Sequence, residues 1–572
     1  MTKRTCLTFI AFLFISFASA ACSPADAVDI QVSPKEIGFS GERAYAIEED
    51  FVSLFPNRDS GQPNNRLAVE WLKENYESLE LSCSIDEWEI VNYSRPVALN
   101  NLVCRLEGKD AQEILIVSHH DQAPDTIEGA DNDGSGVAIM LHLAEVFSAG
   151  SQPKYTLTFV STDAEEYGMI GTGRYVQTHP DVSRIVAGIS LDNLGRDYYN
   201  SMNMELIGQF RGYGPIWLAL ATRAAAEVSG AEWEVNLRAP LDQILDQAGP
   251  ISFMDQGPMV AAGIPAIGLA AGVPPEFQEL HYQLWHDPGD TMQYQSPESL
   301  GQSGLIAEAL VRQVLSMHEF PQQSGPYIYF DGSGQMLRGA PLWLLFVAFV
   351  SIFFIAAARL QPGSIAEKWQ GFRSALPHFL SLWLPMVASL LLLYLMVAVG
   401  IMDEYHLYPA TSKDAAVYNP RWTAIFIYVL GSGVFFYLAR WLHKKRLAFA
   451  RRPDHTSVKG LAMLIVGLSG IYVLVKNPFS LLFFVPLLFW LLIRGRSGWG
   501  RILEVVLYFM GGLVFYGLFF FFGFVIFDYQ FAFGWFLLMM FSIQMIGFVT
   551  ASLLAAVIAA GLSLVVPPAE HP

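Results

Sequence analysis

The chain has 572 residues, 53% of them hydrophobic and only 15% charged. The charged share is well below the quarter usual in soluble proteins, which excludes a wholly soluble globular protein, and the apolar content excludes a disordered one. The net charge of -18 is uneven: residues from Arg338 onward include 17 basic and 8 acidic side chains, whereas the first 337 include 18 and 45. Two physical environments are implied, and the acidic part speaks against nucleic-acid binding, which needs basic surface to displace counterions.

The N-terminus reads as a secretory signal peptide over 1–21. Lys3 and Arg4 precede an apolar stretch over 6–17, followed by Ala18-Ser19-Ala20-Ala21-Cys22. Cleavage after Ala20 fits the small-residue rule; lipidation of Cys22 and an uncleaved anchor stay open. An extracytoplasmic domain is expected over 22–336, and a membrane domain over 337–572.

Within the first domain, 64–79 is helix-like. LSCSIDEWEIV and NLVCRLEG are strand-like and carry Cys83 and Cys104. These are either a bridge between neighbouring strands or two buried thiols. EILIVSHHD, YTLTFVSTD, VAGISLDNLG and IPAIGLAAG are short apolar runs of the kind that form buried strands. Helical patterns over 136–148 and 217–229 alternate with them. The expected fold class is α/β, a mixed and largely parallel sheet between helices.

The strands end in chemistry. The first closes on His119-His120-Asp121, the second on Asp163-Ala164-Glu165-Glu166, the third on Asp192-Asn193, and a cluster from His281 to Asp290 follows the fourth. In open α/β sheets, ligands bind beyond the carboxyl ends of the strands. Histidine and carboxylate suit Zn²⁺ with one position left for water. Of two adjacent glutamates, one can bind metal while the other takes a proton. Phe277, Tyr282 and Trp285 either line a side-chain pocket or pack its rim.

In this order, SHHD, GADNDGSG, DAEEYGMIGTGRY, ISLDNLGR and WHDPGDT resemble the M28 family of zinc aminopeptidases, across roughly residues 60–316. The resemblance implies the zinc-exopeptidase fold, two zinc ions and hydrolysis of the first peptide bond of peptide substrates. It makes His119, Glu166, Asp192 and His286 metal ligands and Glu165 the general base. Asp121 orients His119, and Asp290 with Thr291 completes the last block. His120 and His281 match no ligand and are expected to be loop residues. One position departs from the family: where it has a bridging Asp, this chain has Asn132. Three readings follow. Asp131 or Asp133 takes over the bridge; the site holds one zinc, or two more weakly; or the domain is a metallopeptidase-like scaffold without activity. Glutaminyl cyclases of related fold use one zinc and keep the bridging acid, the opposite pattern.

Beyond residue 337, long apolar runs lie near 341–358, 377–402, 422–442, 457–475, 478–493, 502–527 and 531–566. Most reach the roughly 18–20 residues a membrane helix needs. The last is long enough for one helix plus a surface segment, or for a hairpin, so seven or eight spans are expected. Cations cluster in the loops 359–376, 443–456 and 494–501, whereas Asp403, Glu404, Asp414 and Asp528 occupy the intervening ones. The positive-inside rule then puts the first domain on the periplasmic or extracellular side of a cytoplasmic membrane. The spans hold few ionisable residues, which favours an anchor or a partner-binding bundle over a transporter. Expected partners are peptide substrates, membrane lipid and a membrane protein.

Overall fold

The computed structural model describes residues 22–25, 36–92, 95–321, 325–361, 363–402, 420–446, 453–491, 503, 506, 508, 533–542 and 546–566. The signal-peptide residues, Arg451, Arg452, the loop 494–501, Glu504, Asp528 and the acidic loop residues after 402 lie outside them. Two compact units divide mainly between Leu342 and Trp343.

In chain order the first unit comprises β1 (Ser23–Pro24), α1 (Gly41–Leu54), α2 (Pro63–Ser78), β2 (Ser82–Asn92), β3 (Arg95–Leu106), β4 (Asp110–His119), α3 (Gly136–Ser148), β5 (Tyr155–Thr162) and α4 (Ile170–Thr178). There follow β6 (Ile185–Leu191), β7 (Ser201–Glu205), α5 (Ile216–Ser229), β8 (Glu234–Asn236), α6 (Pro240–Ala248), α7 (Gln256–Ala261) and β9 (Ala266–Gly272). The unit closes with α8 (Gln278–Leu284), α9 (Pro297–Ser316), β10 (Tyr327–Phe330) and β11 (Gln335–Arg338). Eight strands form one mixed sheet in the order β2-β3-β5-β4-β6-β9-β7-β8. Its centre, β5-β4-β6-β9, is parallel throughout. β3 and β7 flank that centre antiparallel.

The apolar runs are continuous because both faces of the sheet are covered. Along β4, Ile114 and Ile116 join the large core with Val137, Ile139 and Leu310 from α3 and α9. Leu115 and Val117, pointing the other way, pack with Tyr175, Met259 and Val260 from α4 and α7. The period of two therefore survives inside a strand with no polar face. Cys83 and Cys104 are joined by a disulfide between β2 and β3.

This topology places the site. From β4 the chain moves to one side to form β5, then crosses back to the other side of β4 for β6. The carboxyl end of β4 is thus the point where the strand order reverses and where a crevice opens. His119 is the last residue of that strand.

The second unit contains α10 (Ala340–Leu360), α11 (Ile365–Ala398), α12 (Trp422–Arg446), α13 (His455–Lys476), α14 (Leu481–Leu491), α15 (Phe533–Ser542) and α16 (Phe548–Val565). Among the described residues, five of these helices, α10 to α13 and α16, are long and apolar enough to cross a membrane. The chain is a multi-pass membrane protein. The loop expected over 359–376 is mostly helix: Ser364 and Glu367 form a capping box that starts α11 at Ile365, so Lys368 and Arg373 lie on its first turns. The last apolar run is two helices, α15 and α16. On α12 the side chains of Trp422, Phe426 and Tyr437 are more than two-thirds exposed, an arrangement suited to hydrocarbon. Two buried histidines went unremarked among the ionisable residues of the spans. His378 Nε2 lies 3.2 Å from the Ser563 carbonyl, and the His378 and His443 rings are 5.7 Å apart.

Candidate metal centre

His119 is buried at the end of β4, and its ring orientation is set by Asp121. Nδ1 lies 3.1 Å from the Asp121 carbonyl and 3.3 Å from its carboxylate. Both partners only accept, so Nδ1 carries the hydrogen and Nε2 faces the centre. There Nε2 meets Asn132 Oδ1 at 3.0 Å, Glu165 Oε2 at 3.8 Å and Asp192 Oδ1 at 4.0 Å.

The second strand end contributes the glutamates. Asp163, just after β5, is a buried clamp. It accepts from Ser60 Oγ at 2.7 Å, from Asn65 Nδ2 at 3.1 Å and from the Asn100 backbone N–H at 3.0 Å. Ala164 adopts a left-handed conformation, φ 57°, and turns the chain so that Glu165 and Glu166 reach the crevice. Asp121 holds both of them: its carboxylate accepts the Glu165 N–H at 3.2 Å and the Glu166 N–H at 3.3 Å. One side chain therefore orients both the imidazole and the turn bearing the glutamates.

Glu166 faces the opposite side of the crevice from His119. Its Oε2 lies 2.9 Å from His286 Nε2. Asn132 Nδ2 donates to Glu166 Oε1 at 2.7 Å and lies 3.1 Å from His286 Nε2. Asn132 thus stands between two half-sites, His119 with Asp192 and Glu166 with His286. Asp133 joins the first: ligand atoms of His119, Asp133 and Asp192 lie within 4.8 Å of one another.

Asp131 is committed elsewhere and does not reach the bridge position. It pairs with the buried Arg196 at 2.9 Å, and it accepts from the Tyr199 hydroxyl and, at 3.0 Å, from the Gly195 N–H. Asp290 holds the loop from outside. Its carboxylate accepts the Asp131 N–H at 3.2 Å and the Asn132 N–H at 3.1 Å, and it pairs with Arg196 at 3.1 Å. Arg58, fully buried, donates to the carbonyls of His120, at 2.9 Å, and Gly129, at 2.7 Å. It ties the end of β4 to the start of the glycine-rich loop.

The crevice is crowded with acid. Burial, opposed by the His119 charge and reinforced by Glu166, pushes Asp192 up to about 7. Burial also raises Glu165, His119 again opposing and Asp255 and Asp192 adding to the effect. His119 is raised: the carboxylates of Asp121, Glu165 and Asp133 outweigh its burial. Six buried acids, Asp121, Asp133, Glu165, Glu166, Asp192 and Asp255, surround two imidazoles and an amide. That donor set calls for a divalent cation, and the residues fit one.

The sequence pattern carries no role for Arg58, Arg196 or Tyr199. His120 lies in the loop just after β4, as expected, whereas His281 lies on a helix. His120 is buried, with Nδ1 3.1 Å from Ser161 Oγ, and burial lowers it to about 3. His281 sits on α8, where burial lowers it to about 4. Phe277 stacks on Tyr198 at 5.1 Å and Trp285 on His286 at 4.1 Å, while Tyr282 is exposed.

Comparison with known proteins agrees with this arrangement. Residues 101–311 match the model of Peptidase family M28. The chain is 39% identical over 98 residues to a vacuolar membrane protease of Clavispora lusitaniae, covering 17% of this chain and 9% of that protein. It is 26% identical over 211 residues to aminopeptidase YwaD of Bacillus subtilis, covering 36% of this chain and 42% of that protein. The chain therefore spans less than half the length of these two relatives. Among solved structures, a zinc aminopeptidase from Bacillus subtilis aligns with 49% of this chain and 96% of its own, at TM-score 0.41 and 15% identity. A glutaminyl cyclase of Porphyromonas gingivalis aligns with 48% and 99%, at TM-score 0.42 and 21% identity.

Proposed function

We propose that residues 101–311, which match the model of Peptidase family M28, form a metal-dependent peptidase domain and that this protein is a membrane-anchored zinc aminopeptidase. It removes N-terminal residues from peptides outside the cytoplasm, with residues 1–21 as its signal peptide. The observation that carries the reading is the placement of the paired glutamates. Asp121 grips both backbone N–H groups, so Glu165 is turned to His119 and Glu166 to His286.

His119, Asp192, Glu166 and His286 would hold the zinc, with Asp133 and the Asn132 carbonyl oxygen as further donors in the His119 half. When bound, zinc supplies Lewis-acid polarisation of the scissile carbonyl and lowers the pKa of a water towards about 7. Glu165 then takes a proton from the attacking water and passes it to the leaving amine, the work of a general base and acid. Glu165, raised by burial and by its acidic neighbours, would be ionised and able to accept with a cation beside it. Asp121 keeps the His119 lone pair aimed at the centre.

The test is hydrolysis of aminoacyl p-nitroanilides by the full chain, purified in detergent with zinc. Wild type should cleave, and Glu165→Gln should lose about 10²–10⁴-fold in kcat with little change in KM. Equal rates for the two would remove Glu165 from this role. No cleavage of any aminoacyl substrate by wild type would leave the scaffold reading.

A further inference from the structure

The two ends of the Asn132 amide are chemically unlike, and they face the two half-sites differently. The oxygen has lone pairs to offer a cation; the amide nitrogen has two hydrogens and none. Glu166 dictates which end goes where. A carboxylate oxygen stands 2.7 Å from the nitrogen, and reversing the amide would set two acceptors against each other.

The backbone cannot slide to bring another residue to this place. Asp290 accepts the N–H groups of Asp131 and Asn132, and the buried Arg196 holds Asp290 and Asp131 together. The half-sites are unequal in donors too. One has His119, Asp133 and Asp192, clustered within 4.8 Å, plus the amide oxygen; Asp133 also accepts from Ser118 Oγ at 2.6 Å and from the N–H groups of Gly136 at 3.0 Å and His119 at 3.3 Å. Two carboxylates there match the charge of one divalent ion. The other has Glu166 and His286 alone, with the amide N–H₂ directed at both.

We infer that the centre is built to hold its metal ions unequally: the His119–Asp133–Asp192 half retains one divalent cation, and the Glu166–His286 half takes a second only weakly, because Asn132 presents hydrogens where a carboxylate would close the site. The inference rests on the metal dependence proposed above. It adds that the second ion exchanges with the surroundings, so that its occupancy follows the free zinc concentration.

The experiment is zinc binding by the full chain in detergent, read by metal content after dialysis and by calorimetric titration. Wild type should keep close to one zinc per chain through dialysis and take up a second with affinity at least ~10-fold weaker. Asn132→Asp, which preserves shape, should keep two. His286→Ala should lose the weak event and keep the tight one; it also serves as the check if the Asp variant folds poorly. Two equally tight ions in wild type would overturn the inference, as would no retained ion or an Asn132→Asp titration matching wild type. The two readings fail separately. Unequal binding without aminoacyl hydrolysis would leave the asymmetry standing and remove the peptidase. Hydrolysis with two equally tight ions would do the reverse.

Discussion

The two ends of strand β4 bury acids in opposite ways. Near its start, Glu113 is buried among basic side chains: Arg105 at 3.0 Å, His179 at 3.5 Å and Arg184 at 3.6 Å. Although burial raises a carboxyl, hydrogen bonds from His179 and Arg105 and the charge of Arg105 bring Glu113 down to about 2. At its end, six residues further along, His119 faces Asp133, Glu165 and Asp192, and burial pushes those acids up. One end is electrostatically closed, and the other is incomplete without a cation. Buried charge that is already paired holds the fold together; buried charge in surplus marks the place where a ligand completes the structure.

The comparison breaks most severely at Arg196, which with Arg58 is one of two fully buried arginines at the crevice end. It is fully buried and spans Asp131 and Asp290. Arg196→Leu would leave both carboxylates buried without a counter-charge and release the loop carrying Asn132. A loss of about 3–5 kcal/mol is expected, measured by thermal or denaturant unfolding of the metal-free chain in detergent. A loss under about 1 kcal/mol would mean that neighbouring hydrogen bonds suffice.

Asp121 sharpens the comparison at the level of catalysis. Asp121→Asn keeps the shape but weakens the hold on His119 Nδ1 and on the N–H groups of Glu165 and Glu166. The expected cost is about 10–100-fold in zinc affinity or kcat, seen by aminoacyl hydrolysis at a series of zinc concentrations. Unchanged zinc dependence together with unchanged kcat would make Asp121 a purely structural residue.

What the sequence discloses follows from the range of the interactions. The parallel centre is legible because ILIV, LTFV and GISL are continuous apolar runs, and both faces of those strands are in fact covered. The carboxylates are legible because each stands at the end of its own strand, where short-range pattern and topology coincide. Arg58 and Arg196 are not, because the groups they tie together lie 62 to 94 residues away. No local pattern distinguishes a buried arginine from a surface one. Asn132 is the intermediate case. Its spacing in GADNDGSG leaves open which residue faces the centre; the answer depends on where Arg196 and Asp290 draw Asp131. His281 is misjudged as a loop residue for a similar reason, since the seven-residue helix that carries it shows little pattern of its own.

The smallest effect concerns Glu113, and its sign distinguishes the closed end from the open one. Its folded pKa, about 2, lies below the ordinary 4.5, so folding is favoured by the ionised form. The contribution is complete above about pH 4.5 and is lost as pH falls towards 2. Arg105 and Arg184 are partly exposed, and solvent screening reduces the gain to roughly 1–2 kcal/mol. Glu113→Gln should therefore be less stable than wild type at pH 6, with a gap that narrows steadily between pH 4.5 and 2. The measurement is the unfolding midpoint of both chains across that range. At the other end the raised pKa of Asp192 reverses the slope: without metal, Asp192→Asn should gain on wild type as pH rises from about 4 to about 7, because over that range the unfolded chain ionises Asp192 while the folded crevice, already full of acid, keeps it protonated, and the gap should be level above about 7. A Glu113→Gln gap independent of pH would show that the carboxylate is not held by its cations, and the contrast between the two ends of the strand would fail.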